Sequence, residues 1–398
     1  MIPHDRDAWI TGIGLVSNLG EGCDATWQGL MAGRPNIDEA SFAPYPVHRL
    51  AAVDFSKQIP KAEQRLMDAW QRTGTYAAGL ALESAGLKGS TAVLSHTDLV
   101  VVAGGGERDT ALDCSVLTQS RTAPDRARLL NERLMSDLRP TLFLSQLSNM
   151  LAGNISIVHG VTGSSRTFLG EAAGIEAVRT ARARVMSGQS DIVLVGGAHS
   201  GERKDLLLFC EAGGLALKGE YAPVFERQAR GGGVALGSFG VFLVIESKGH
   251  ASARGGRPLA RLAAVVSDRA DRTPGGLTRS FNDLWSAIAP HASGGRLAVL
   301  SGASGAEPTT SEERAFFATL GETPVRVPGS YVGYGFEAQF SMSVAVAALA
   351  ASNGTLFPAA DRFAANGGGA DVIDTVLVTG ASHCRGEGLA LVEKVHHA

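Results

Sequence analysis

The chain has 398 residues, 44% hydrophobic and 19% charged, a globular composition with enough apolar residues for a sizeable core. Its 36 basic and 39 acidic side chains nearly cancel, to a formal charge of −3, which gives no electrostatic reason to expect nucleic acid or a membrane surface as a partner. The four cysteines (Cys23, Cys114, Cys210 and Cys384) lie far apart with no CxxC pair, which argues against a zinc site or disulfide framework and makes a reducing cytosol the default.

In chain order, residues 8–16 read as a buried strand ending in a glycine turn. Gly12-Ile-Gly14 is a weak dinucleotide signal, because the third glycine and the later acidic residue are missing. Residues 22–33 read as an amphipathic helix and 61–86 as a helical region. Asp98 to Val102 is an apolar run entering glycines, which suits a parallel strand covered on both faces. Residues 107–140 are charged and helical, and the arginines from Arg121 to Arg133 read as a solvated face. Phe143 to Ile157 is apolar, with Asn149 and Asn154 inside it, which suits a segment packed across the core or against a partner subunit, and it is the candidate partner interface. The N-terminus carries no signal-peptide h-region, and no apolar run reaches the ~18 residues of a spanning helix, so a cytoplasmic protein is expected.

The stretch from Ser164 to Gly197 organises the chain: strand end, tight turn, buried helix, then the strand Asp191-Ile-Val-Leu-Val-Gly-Gly197. Glu171 falls where that helix begins, at the positive end of its dipole. Residues 205–217 suggest a short buried helix, and a glycine-rich loop from Gly231 runs into the strand Val241–Glu246. Residues 247–257, polar and aperiodic, are the candidate boundary between two halves, 1–250 and 251–398, with a cap insertion at about 35–165 in the first. The strand–helix alternation then restarts: strand 259–266, helix 277–289, strand 296–301, helix 311–319, an alanine-rich helix 336–352, and closing strands at 375–379 and 389–393. The architecture is α/β.

Four segments together resemble the β-ketoacyl-acyl carrier protein synthases, the elongating condensing enzymes of fatty acid and polyketide synthesis. Trp9-Ile-Thr-Gly-Ile-Gly-Leu-Val-Ser-Asn-Leu-Gly20 is similar to their opening strand and loop, and Trp27-Gln-Gly-Leu-Met-Ala-Gly-Arg34 to the following helix. Asp191 to His199 is similar to the strand after their nucleophile helix, and Gly237 to Glu246 to their glycine-rich strand. The resemblance implies a thiolase fold, an α-β-α-β-α five-layered sandwich of two pseudo-symmetric halves, and a dimer. It implies no cofactor or metal.

The family chemistry uses a cysteine at a helix N-terminus, two histidines and a supporting lysine. Matched by spacing, the cysteine position is Glu171, three residues before Gly174. The first histidine is Ala303, counted back from Pro308, and the second is Tyr334, after Gly333. The lysine position is Gly329, and the C-terminal glycine-rich gate falls at His383-Cys-Arg-Gly386. All four catalytic positions are substituted, which resembles the chain-length factors of two-component synthases. The reading that follows is a non-catalytic partner of an active synthase, in a heterodimer or homodimer served by an acyl carrier protein.

A divergent acyl-thioester enzyme using Glu171 or Tyr334, and an acyl or carrier-protein binding module, are the alternatives. Glu171 itself reads first as a carboxylate satisfied by helix N–H groups; shaping an acyl tunnel and acting as a general base are its other roles. Tyr334 reads as a phenol filling the lost histidine's volume. Glu171, Tyr334 and Cys384 form the candidate pocket; Cys210 and Cys384 are expected to be buried, and His199 and His383 to be structural.

Overall fold

The computed structural model describes residues 4–106, 108–137, 146–292, 295–362 and 372–395. Among the described residues ten strands run side by side in its main sheet, and a two-residue strand, Gly20–Glu21, folds back on the first of them. The first five are β1 (Ala8–Ser17), β2 (Asp98–Val102), β3 (Ser165–Phe168), β4 (Ile192–His199) and β5 (Phe239–Ser247). The second five are β6 (Ala260–Asp268), β7 (Leu297–Leu300), β8 (Val325–Arg326), β9 (Thr375–Ala381) and β10 (Glu387–Glu393).

Their spatial order is β3-β2-β4-β5-β1 in the first half and β8-β7-β9-β10-β6 in the second. The pairing senses match step for step. Strand β5 is antiparallel to β1 and β4, and β2 is parallel to β4 and β3. In the second half β10 is antiparallel to β6 and β9, and β7 is parallel to β9 and β8. The halves join where Trp9 and Ile10 of β1 pair with Arg261 and Ala260 of β6.

The helices are α1 (Gly22–Met31), α2 (Ala69–Ser84), α3 (Thr110–Thr122), α4 (Arg126–Asp137), α5 (Met150–His159), α6 (Ala173–Ser187) and α7 (Lys204–Ala212). The second half has α8 (Gly276–Ile288), α9 (Thr309–Ala318) and α10 (Gln339–Asn353). Helices α2 and α5 cover the outer face of the first sheet, and α8 and α9 that of the second. Helices α6 and α10 lie between the sheets and touch one another. This is the five-layered thiolase sandwich. Helix α10 shows why the middle layer exists: its residues 339–351 are all buried, and a helix apolar on every side needs cover on every side.

Several expected boundaries change. Residues 61–86 break into a short turn of helix at Lys61–Gln64 and the capped helix α2, where Asp68 and Gln71 form a capping box. The 107–140 region is two helices. Residues 247–257 are no loose linker: Ser247 caps the short helix Lys248–Ala253, and Arg254 pairs with the buried Glu246. Gly12 and Gly14 lie inside β1 and bind no nucleotide turn; a Cβ on Gly14 would stand 1.9 Å from the Ala77 carbonyl oxygen of α2. The described part of the apolar 143–157 stretch, from Gln146, lies partly in the core: Leu151, Ala152, Asn154 and Ile155 are buried, while Ile157 is exposed. Residues 143–145 lie outside the described residues.

Candidate functional site

The site forms where the N-termini of the two middle helices meet. Gly174, in the first turn of α6, makes the approach possible. A Cβ there would stand 2.6 Å from the Glu337 carbonyl oxygen and 3.1 Å from Cβ of Phe340, so a side chain would force the helices apart. That contact brings Glu171, two residues before α6, to Tyr334, five residues before α10.

The Tyr334 hydroxyl donates to Glu171 Oε1 at 2.7 Å, and the His383 backbone N–H donates to Oε2 at 2.8 Å. The His383 ring Nδ1 lies 2.5 Å from Oε1. Its alignment falls short of a hydrogen bond, so Nδ1 is short of a fully formed partner. On the other side of the ring, Nε2 is 2.8 Å from Ser304 Oγ. Glu171 is therefore satisfied by groups from the second half, not by the N–H groups of its own helix as expected from its position. Burial, and then the adjacent Glu171 carboxylate, push the Tyr334 phenol well above its ordinary value. Its proton stays on the phenol oxygen and is given to Glu171 as a hydrogen bond.

Three anchors hold this cluster. Arg227, fully buried, donates from Nη1 to the Ser304 carbonyl at 3.0 Å. Arg272 donates to the Ser382 carbonyl at 2.8 Å and pairs with the buried Glu387, fixing the loop that carries His383. Glu313 accepts a 2.8 Å bond from Ser301 and another from Thr379, tying the ends of β7 and β9 beneath the site. Burial pushes the Glu313 carboxyl up to about 7.

Ala303 and Gly329 do come together: a Cβ on Gly329 would lie 3.5 Å from the Ala303 carbonyl oxygen. Neither supplies a functional group. Cys384 is exposed rather than buried, because its loop projects it outward, whereas Cys210 is buried as expected. Burial, with a smaller push from Glu171, takes the Cys210 thiol up to about 11, far from a thiolate at neutral pH.

Next to the cluster lies a cavity of ≈160 Å³ lined in part by Trp70, His199, Arg203, Phe336 and Glu337. Phe336 reaches both, its ring 6.2 Å from that of His383 and 5.7 Å from that of His199. Its φ of 38° is a left-handed conformation that a bulky residue adopts only under surrounding constraint. Burial, and then Glu171, push the Glu337 carboxyl above its ordinary value. His199 Nδ1 lies 2.8 Å from the Gly237 carbonyl, which puts the proton on Nδ1, and burial lowers the ring to about 4, so it is neutral.

Sequence spacing found Glu171 and Tyr334. It passed over Ser304, next to Ala303, and treated His383 as structural. The available signals were a serine in Gly302-Ala-Ser-Gly305 and a histidine inside the glycine-rich gate. Among the described residues no group of three His, Cys, Asp or Glu side chains could hold a metal ion.

Two matched sheets with paired helices between them define a thiolase-fold protein. Residues 5–251 match the family model for the beta-ketoacyl synthase N-terminal domain, and the chain belongs to that family. It is 24% identical over 262 residues to 3-oxoacyl-[acyl-carrier-protein] synthase 2 of Vibrio cholerae, covering 63% of this chain and 60% of that one. A Vibrio harveyi synthase of the same name gives 24% over 267 residues, so the match spans about 60% of the length of these two relatives. A putative oxytetracycline polyketide beta-ketoacyl synthase of Streptomyces rimosus is 25% identical over 382 residues, covering 90% of this chain and 88% of that one.

In fold, the chain is similar to the ishigamide ketosynthase/chain length factor, with TM-score 0.79 at 19% identity over 98% of this chain and 100% of that one. It is also similar to a type II polyketide ketosynthase solved in complex with its acyl-carrier protein, with TM-score 0.75 at 17% identity, covering 98% and 100% of the two chains. Among the described residues no helix is long and apolar enough to cross a membrane.

Proposed function

We propose that this chain is a non-condensing ketosynthase homologue of fatty acid or polyketide synthesis, acting as the chain-length-factor type partner of an active synthase. The observation that carries the reading is the state of the nucleophile position. Glu171 stands where condensation needs a thiolate, and its carboxylate is committed to Tyr334 and His383. The histidine and lysine positions, Ala303, Tyr334 and Gly329, offer no imidazole and no ammonium to stabilise an enolate. The scaffold around them is intact, which suits a subunit whose surface and tunnel matter more than its chemistry.

A second observation supports a partner chain. Leu169 beside the edge strand β3, and Leu208 and Phe209 on α7, are 64%, 68% and 63% exposed. Large apolar side chains left this open favour burial against another subunit. The acyl carrier protein enters this reading as the source of the acyl chain.

The test is co-expression with a candidate active synthase and its carrier protein. A stable mixed dimer, with condensation requiring both chains, supports the reading. A synthase that condenses equally well without this chain, or that never co-purifies with it, refutes it.

A further inference from the structure

We propose that Ser304, His383 and Glu171 form a serine acyl-transfer site, which takes an activated acyl group, ester or thioester, and passes it to water. The three residues come from the β7–α9 loop, the β9–β10 loop and the start of α6, and they converge in the order that nucleophilic catalysis needs. Ser304 Oγ is 2.8 Å from His383 Nε2. The Ala306 backbone N–H already donates to that oxygen at 3.1 Å, which leaves the hydroxyl's own proton free to point at Nε2. Behind the ring, Glu171 Oε2 accepts one hydrogen bond from the His383 backbone N–H at 2.8 Å, and Oε1 lies 2.5 Å from Nδ1 without the alignment of a hydrogen bond. A carboxylate at Nδ1 favours the tautomer protonated there and leaves the Nε2 lone pair for the serine.

The remaining contacts keep the arrangement rigid. Tyr334 fixes Glu171 Oε1, Arg227 fixes the Ser304 carbonyl, and Arg272 fixes the loop before His383. Cys384 and Arg385, next to His383, are exposed, so the cluster lies one layer beneath the surface. Ser304 and His383 are the groups that meet substrate; Glu171 is a positioning residue that acts through His383.

In the first step Ser304 Oγ bonds to the acyl carbon and its proton passes to His383 Nε2. The carbon–sulfur or carbon–oxygen bond to the leaving group breaks, and the leaving group takes that proton. Water then adds to the acyl carbon and gives a proton to Nε2. The ester bond to Ser304 breaks, Oγ recovers the proton, and a carboxylic acid departs. One water is consumed for each acyl group released.

The probes are a fluorophosphonate, p-nitrophenyl acetate and the N-acetylcysteamine thioester of octanoic acid, applied to the full chain. The expected results are a phosphonyl adduct on Ser304, located by peptide mass spectrometry, and hydrolysis that falls at least roughly 100-fold in Ser304→Ala and His383→Gln. Glu171→Gln should lower kcat by a similar factor with KM unchanged, the signature of a group that orients the base without binding substrate. An unmodified Ser304 together with equal hydrolysis by wild type and Ser304→Ala overturns the proposal, and labelling of the wild type does not depend on how any variant folds. The thioester arm rests on the proposed function, whereas the serine assignment does not. Ester turnover without thioester cleavage would sink the acyl-thioester substrate while upholding Ser304, and neither result depends on whether a mixed dimer forms.

Discussion

Glu313 gives a pH-dependent stability that can be worked from the structure. Its carboxyl is fully enclosed, and burial raises it from 4.5 to about 7 against the opposing bonds from Thr379 and Ser301. A carboxyl raised in the folded state is ionised more readily in the unfolded chain. Its stabilising contribution is therefore complete below pH 4.5 and is lost as pH rises through about 7. At about 1.4 kcal/mol for each pKa unit, the loss between pH 5 and pH 8 comes to about 2–3 kcal/mol.

Glu313→Gln is the matched neutral variant. Its amide oxygen accepts the same two hydroxyl bonds, and its own cost, about 1 kcal/mol for an amide nitrogen without a partner, does not change with pH. Urea unfolding followed by tryptophan fluorescence should show wild type losing about 2–3 kcal/mol relative to the variant between pH 5 and pH 8. The comparison cancels other titrations, including those of His48 and His199, which burial lowers to about 3 and about 4. A difference that stays flat across this range would refute the reasoning and mean that Glu313 is solvated or paired in solution.

Three further outcomes are expected. Tyr334→Phe removes the hydroxyl that donates to Glu171 Oε1 and should lower stability by about 1–3 kcal/mol, read as a fall in urea midpoint at neutral pH. Gly174→Ala pushes a methyl group to within 2.6 Å of the Glu337 carbonyl oxygen at the contact between α6 and α10, and should cost about 1–3 kcal/mol in the same assay. Leu208→Asp with Phe209→Asp places charge on exposed α7 positions, so the chain should keep its melting temperature while co-purification with an active synthase is lost. Unchanged co-purification would remove α7 from the proposed interface.

Much of this protein was legible along the chain because its signals are local. The apolar run at 98–102 has to be covered on both faces, which implies helices on both sides of a parallel strand. The alanine-rich 339–351 segment has no polar face and could only be a buried helix. The resemblance to the condensing enzymes, matched through Gly174 and Gly333, implied that Glu171 and Tyr334 share one site.

The rest was decided by how the two halves dock. Ser304 and His383 are 79 residues apart, and Glu171 and His383 are 212 apart. Hydrogen bonds act over about 3 Å and depend on direction, so no one-dimensional pattern reveals which distant loops come that close. The same limit explains why Cys384 was expected inside although its loop projects it outward. Apolar character says that a side chain prefers cover, but only the packed fold determines whether the cover comes from this chain or another.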